Sequence, residues 1–249
     1  MNCGANDTIR AHLIPQAFVR EVRGDDKGYA LTNRNASSFQ PSQNGRYDDA
    51  ILCTACDNIL GKDEKYAVET LAAIRRSTQH VVDRTFMVDG IEGDRLLRFA
   101  AGTVWKFALT KPHYGRIDIG PYAAILQSLL YDRADSGGAV DAFLMKLHSG
   151  DDKSYFNRAP SPERYEGLNF VRFAVGSFIF LVKLDRRPAT NLPAAAWLRG
   201  STSILIPAIA FNQIEEGRTV LSARQANGRL DAYLQRVSVA ATANKNLAS

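Results

Sequence analysis

A chain of 249 residues is long enough to bury a sizeable core, as one large domain or two modest ones. At 45 % hydrophobic and 23 % charged residues it has the composition of a soluble globular protein, which sets aside disordered and fibrous classes. The net charge of +5 suits a polyanionic partner without demanding one.

The amino terminus is polar at Asn2, Asn6 and Asp7 and has no apolar stretch of the kind a secretory signal needs. Its 3 cysteines build no disulfide framework and fit a reducing compartment, so a cytoplasmic protein is expected. Residues 1–61 are rich in turn-formers. Asn33 to Gly45 reads as a loop or irregular hairpin, and Leu13-Ile14 and Ala50-Ile51-Leu52 read as the paired strands of a small metal-supported module.

Gly61 precedes a helical stretch from Lys62 to His80, with Tyr66, Leu71 and Ile74 near helical spacing. A second helix spans Asp94 to Thr110, presents Leu97, Ala101, Val104, Trp105 and Leu109 as its apolar side, and is stopped by Pro112. Gly120-Pro121 opens a third, Tyr122 to Tyr131, and Val140 to Leu147 reads as a short fourth. Beyond Asp151 the texture changes. Phe170 to Ala174 and Ser177 to Leu184 predict a hairpin with a buried face, Ser203 to Ile206 adds a strand, and Val220 to Val237 forms a last helix. The longest apolar run, Phe173 to Val182, is broken by Gly176-Ser177 and is too short to cross a bilayer, so no membrane partner is expected.

The chemistry concentrates near the amino terminus. Cys53 and Cys56, at C-x-x-C spacing, can present two thiolates to one metal ion, and Cys3-Gly4 looks like half of an earlier knuckle. His12 stands before Leu13-Ile14-Pro15, where a strand halted by proline holds an imidazole in a fixed orientation. Asp57 and Asn58 follow the second cysteine and also suit the capping of a helix. Arg10, Arg20, Arg23, Lys62, Lys65, Arg75 and Arg76 surround these motifs, interleaved with Asp25, Asp26, Asp48, Asp49 and Asp63 as on a mixed solvated surface. His80, His113 and His148 show no metal spacing and read as surface residues, while Phe99, Trp105 and Phe107 read as core.

His12-Leu13-Ile14-Pro15, then Tyr47, Leu52-Cys53-x-x-Cys56-Asp57-Asn58, Gly61 and Glu64-x-Tyr66 together resemble HNH-type (ββα-metal) nucleases, in particular a group of bacterial HNH-like proteins. The strong likeness covers about a quarter of the chain, and a weaker one runs through Phe99 to Ala108 and Ile119-Gly120-Pro121-Tyr122. The resemblance implies an α+β protein: an amino-terminal zinc-knuckle ββα-metal, treble-clef-like module over residues 1–80. A mainly helical region with a small carboxy-terminal hairpin or sheet would follow over 81–249. It implies metal-assisted hydrolysis of DNA, with His12 as general base and Asn58 or Asp57 in the helix-side polar role. Cys3, Cys53 and Cys56 would hold a structural Zn²⁺, and Mg²⁺ or Mn²⁺ would serve hydrolysis; the family context suggests phage defence or mobile-element biology.

Two departures keep alternatives open. Ala11 stands where such nucleases carry a metal-binding acid, and Cys3 lacks its knuckle partner. Either a cysteine encoded upstream completes the knuckle, or His12 joins the three cysteines in a Cys₃His zinc site and is lost as a base, or the site has decayed to a non-catalytic nucleic-acid- or protein-binding module. Glu64 and Glu69 are the candidates to supply the carboxylate that Ala11 lacks.

Overall fold

The computed structural model describes residues 7–23, 30–31, 41–42, 45–148, 156–218 and 222. Strand β1 (Ala11–His12) is followed by helix α1 (Gln16–Arg23), the paired strands β2 (Ala30–Leu31) and β3 (Pro41–Ser42), and β4 (Tyr47–Asp48). Helix α2 (Thr54–Ser77), β5 (Thr85–Asp89), α3 (Gly93–Leu109) and α4 (Tyr122–Tyr131) make the middle. Strands β6 (Val140–His148), β7 (Arg158–Tyr165), β8 (Leu168–Val175), β9 (Phe178–Leu184) and β10 (Ser203–Ala210) complete it.

The second half is built on a 6-stranded sheet in the order β5-β10-β6-β9-β8-β7. All neighbours are antiparallel except β10 and β6, which run parallel, so the sheet is mixed. Strand alternation divides its side chains between two layers. Val140, Ala142, Leu144, Phe173, Phe178, Phe180 and Val182 face α3 in the main core, and Phe143, Phe170, Ile179 and Leu181 face a second cluster with Trp197 and Phe211. Strand β9 is therefore buried along its whole length. At one edge, β7 carries Pro160 and Pro162; proline donates no ladder hydrogen bond and is tolerated on an edge strand.

The α+β class holds, but its internal arrangement corrects the expected one. Among the described residues no zinc-knuckle ββα module stands apart at the amino terminus. β1 and β4 are two-residue strands, and Leu13, Ile14, Ile51, Leu52, Cys53 and Cys56 pack in the same core as α3 and the sheet. The carboxy-terminal part is not a small hairpin but the sheet just described.

Val140 to Leu147 is a strand, not a helix. Its short apolar run suits either conformation, and pairing with β9 on one side and β10 on the other decides for extended chain. The helix expected to begin at Lys62 begins at Thr54, inside the cysteine motif. The paired amino-terminal segments are Ala11–His12 with Tyr47–Asp48 rather than the apolar pieces beside them. The expected last helix, Val220 to Val237, lies outside the described residues apart from Ser222. Among the described residues no helix is long and apolar enough to cross a membrane.

Candidate functional site

Short as it is, the β1–β4 ladder holds the site's histidine. Ala11 pairs with Asp48 and His12 with Tyr47, and Leu13 N–H donates to the Arg46 carbonyl at 3.0 Å. Side chains alternate across such a ladder, so His12 and Tyr47 share one face, and Ala11, Leu13, Arg46 and Asp48 share the other. The His12 and Tyr47 rings meet edge-on at 6.3 Å, and the Arg10 guanidinium lies 3.7 Å over the Tyr47 ring. Asp48 anchors the opposite face. Burial pushes its carboxyl up, but the Thr110 hydroxyl at 2.6 Å, the Ala50 and Lys111 amides and the Lys111 charge hold it below its ordinary value.

Helix α2 supplies the carboxylates. Cys53 is its N-cap residue, in extended conformation and without a side-chain cap, and Asp57 is the acid of its first turn. Glu64 lies two turns further on the same face as Asp57, since seven residues make nearly two full turns. Between them and His12 comes Lys106 of α3, whose side chain is 1 % exposed. Its ammonium donates to the His12 carbonyl at 2.6 Å and to Glu64 Oε1 at 2.6 Å. Burial pushes the Asp57 carboxyl up; the Lys106 charge opposes that shift, the Glu64 charge reinforces it, and the His12 charge opposes it. His12, Asp57, Glu64 and Lys106 thus form one electrostatic unit drawn from three elements.

Of the sequence candidates, the structure brings His12 and Asp57 together. Asn58, about 100° further round the helix, is exposed. Cys53 and Cys56 are buried, 5 % and 3 % exposed, on one side of the first turn of α2. Cys3 lies outside the described residues. Among the described residues no three histidine, cysteine, aspartate or glutamate side chains converge on a point that could hold a metal ion. The donors present therefore do not make up a divalent-ion centre: Ala11 is buried without ligating capacity, and the Glu64 carboxylate already carries an ammonium. Cys53 and Cys56 fit half of a thiolate zinc site, which Cys3 would have to extend.

Glu69 takes no part and pairs loosely with Lys65 at 3.9 Å in solvent. Asp63, beside Glu64 in sequence, points elsewhere and binds Arg95, Arg98 and Arg133, tying α2 to α3 and to the segment after α4. Phe99, Trp105 and Phe107 are core, and His80 and His113 are exposed. His148 lies partly buried at the surface: its side chain is 9 % exposed and sits 2.9 Å from Asp83 Oδ1. Lys106 was not among the sequence candidates. Its signal is a lone cation between Trp105 and Phe107 on an otherwise apolar stretch of helix, where a charge is almost never buried unless paired.

The class this geometry defines is an α+β protein in which a buried lysine, paired with a partly exposed glutamate, braces the main-chain carbonyl of His12. None of the protein-family models, curated proteins or solved structures compared with this chain matches it.

Proposed function

We propose that this protein is an HNH-like nuclease that hydrolyses phosphodiester bonds in DNA, with His12 as the general base. The observation that supports this reading is that the Lys106 ammonium holds the His12 main-chain carbonyl and the Glu64 carboxylate, with Asp57 within electrostatic reach of Lys106, Glu64 and His12. A half-buried imidazole beside an acidic group is suited to accept a proton from water. As the water oxygen bonds to phosphorus and the ester P–O bond breaks, that proton passes to His12. Lys106 is too buried to touch DNA and acts as a positioning residue, holding the end of β1 against α2. Arg10, exposed over Tyr47 on the same ladder face, is placed to meet a phosphate. Mg²⁺ or Mn²⁺, if the reaction uses one, would add charge stabilisation at the phosphate, and Zn²⁺ on Cys3, Cys53 and Cys56 would be structural.

A second reading has its own support. With Ala11 buried and no three-ligand cluster among the described residues, the same surface would serve a non-catalytic nucleic-acid-binding protein. Plasmid incubated with Mg²⁺, Mn²⁺ or EDTA separates the two. Nicking by the wild type and its loss in His12→Ala is expected. Equal nicking by both proteins removes His12 from the base role, and gel retardation without cutting by either selects the binding reading.

A further inference from the structure

Three guanidiniums around one carboxylate are more cation than an ion pair needs. Asp63, its side chain 6 % exposed, accepts from Arg95 Nε at 3.4 Å, from Arg98 Nε at 3.1 Å and from Arg133 Nη1 at 2.7 Å. Glu92 takes a second nitrogen of Arg95 and offsets a second charge, so one positive charge of the cluster stays uncompensated. Arg95 is fully engaged: its third nitrogen donates to the Lys62 carbonyl, and its guanidinium lies over the Tyr66 ring. Arg98 and Arg133 keep donors in reserve. Arg98 Nη1 and Arg133 Nε and Nη2 have no hydrogen-bond partner among the described residues, and the two side chains are 19 % and 41 % exposed. The carboxylates next in sequence are engaged elsewhere, Asp132 with Ser128 Oγ and Asp135 with Arg199.

The backbone at Arg133 agrees with a role for its side chain. Arg133 follows Asp132, the C-cap of α4, with φ +56°, a conformation in which glycine is the usual residue. Glycine would relieve that strain but bring no guanidinium to Asp63 Oδ2, where Arg98 also arrives. Two forks that reach one oxygen from different elements leave their remaining donors in two planes. A planar carboxylate matches one fork, whereas a tetrahedral phosphate group has oxygens for both. We propose that Arg98 and Arg133, held together by Asp63, form a binding site for a phosphate group, supplied by a nucleic-acid backbone or by free phosphate. Asp63 is the positioning residue, since its charge lets two guanidiniums stand side by side. The site does not depend on His12 as a base and would serve a cutting or a non-cutting protein alike.

The probes are a fluorescein-labelled duplex of mixed sequence, with EDTA present to prevent cutting, and inorganic phosphate. In fluorescence anisotropy over about 50–200 mM KCl, each neutralised phosphate adds about 0.9 to the magnitude of the salt slope. Arg133→Gln leaves Asp63 to Arg95 and Arg98. It should lower that slope by about 1 and weaken duplex binding about five- to tenfold near 0.1 M salt. Arg133→Lys keeps the charge and should restore the slope. Arg84→Gln removes an equal charge at the far end of β5 and should change the slope by less than about 0.3. If circular dichroism shows Arg133→Gln to be unfolded, Ala134→Glu, which sets a carboxylate beside the cluster, is read instead and should lower the slope by as much. A wild-type slope in the folded variant, or an equal loss in Arg84→Gln, overturns the site and leaves the nicking result untouched. If the wild type binds no duplex, calorimetry in inorganic phosphate against chloride at matched ionic strength decides. A rise in Tm that Arg133→Gln abolishes assigns free phosphate as the ligand, and no rise overturns the proposal.

Discussion

Glu64→Gln takes away the counter-charge of an ammonium that is 1 % exposed and leaves it only the His12 carbonyl and a neutral amide. At 2.6 Å and an effective dielectric of about 20, the pair attracts with roughly 6 kcal/mol before desolvation is subtracted. Stranding one partner of such a pair costs about 3–5 kcal/mol, because the remaining charge is still out of water. The reciprocal change is milder. Lys106→Met leaves a carboxylate that is 22 % exposed and can rehydrate, and places an apolar chain where α3 is already apolar.

Its cost should be about 2–3 kcal/mol, mostly the His12 carbonyl left without its donor. Removing both charges, as Glu64→Leu with Lys106→Met, should therefore be less damaging than Glu64→Gln alone, with a coupling of about 1–3 kcal/mol. Urea unfolding followed by circular dichroism reads this directly. With a slope near 3 kcal/mol/M, Glu64→Gln should lower the midpoint by about 1–1.7 M and Lys106→Met by less. A Glu64→Gln midpoint within about 0.2 M of wild type, or one less affected than that of Lys106→Met, would refute the reasoning that the deeper charge sets the penalty.

Two further outcomes follow from the rest of the fold. Asp185 is held well below the ordinary carboxylate range, first by the Arg187 side chain and, against the opposing effect of burial, by the Arg187 and Asn169 amides. A carboxyl depressed in the folded state stabilises at pH values above its unfolded value of about 3.9 and loses that contribution as pH falls below it. Asp185→Asn should cost about 2 kcal/mol at pH 7, an amount reduced because Arg187 is 60 % exposed, and should flatten the acid limb of a stability–pH profile; an acid limb as steep as that of the wild type would count against it. Gly93 opens α3 against the backbone of residues 198–201, where a Cβ would stand 2.1 Å from the Leu198 carbonyl oxygen and 2.7 Å from that of Ser201. Backbone cannot yield as a side chain can, so Gly93→Ala should cost about 3 kcal/mol and lower Tm by about 5–10 °C in scanning calorimetry, and an unchanged Tm would show that this contact is loose.

Much of the middle of the molecule was legible in advance. The helices at Gly93–Leu109 and Tyr122–Tyr131 match their expected spans closely, because each has an apolar side at helical spacing and a proline or glycine at its boundary. The hairpin around Gly176-Ser177 was equally plain, since two apolar runs flank a glycine that adopts φ +59°. Strands β5 and β7 were not. The first is short and only half-buried, and the second carries two prolines that local reasoning treats as breaks. Both exist because neighbouring strands accept them at the edges of the sheet.

The site divides in the same way. Local spacing alone determined that His12 ends a strand before Pro15, that Cys53 and Cys56 fall within one turn of chain, and that Asp57 follows them, because these features depend only on the immediate backbone. Only tertiary structure could decide which distant side chain meets the histidine. Lys106 reaches the His12 carbonyl from 94 positions away and Glu64 from 42, and no period or motif encodes such a meeting. It follows from the packing of α3 against α2 and the sheet. A buried charge must find its partners within that packing, whatever lies between them in sequence.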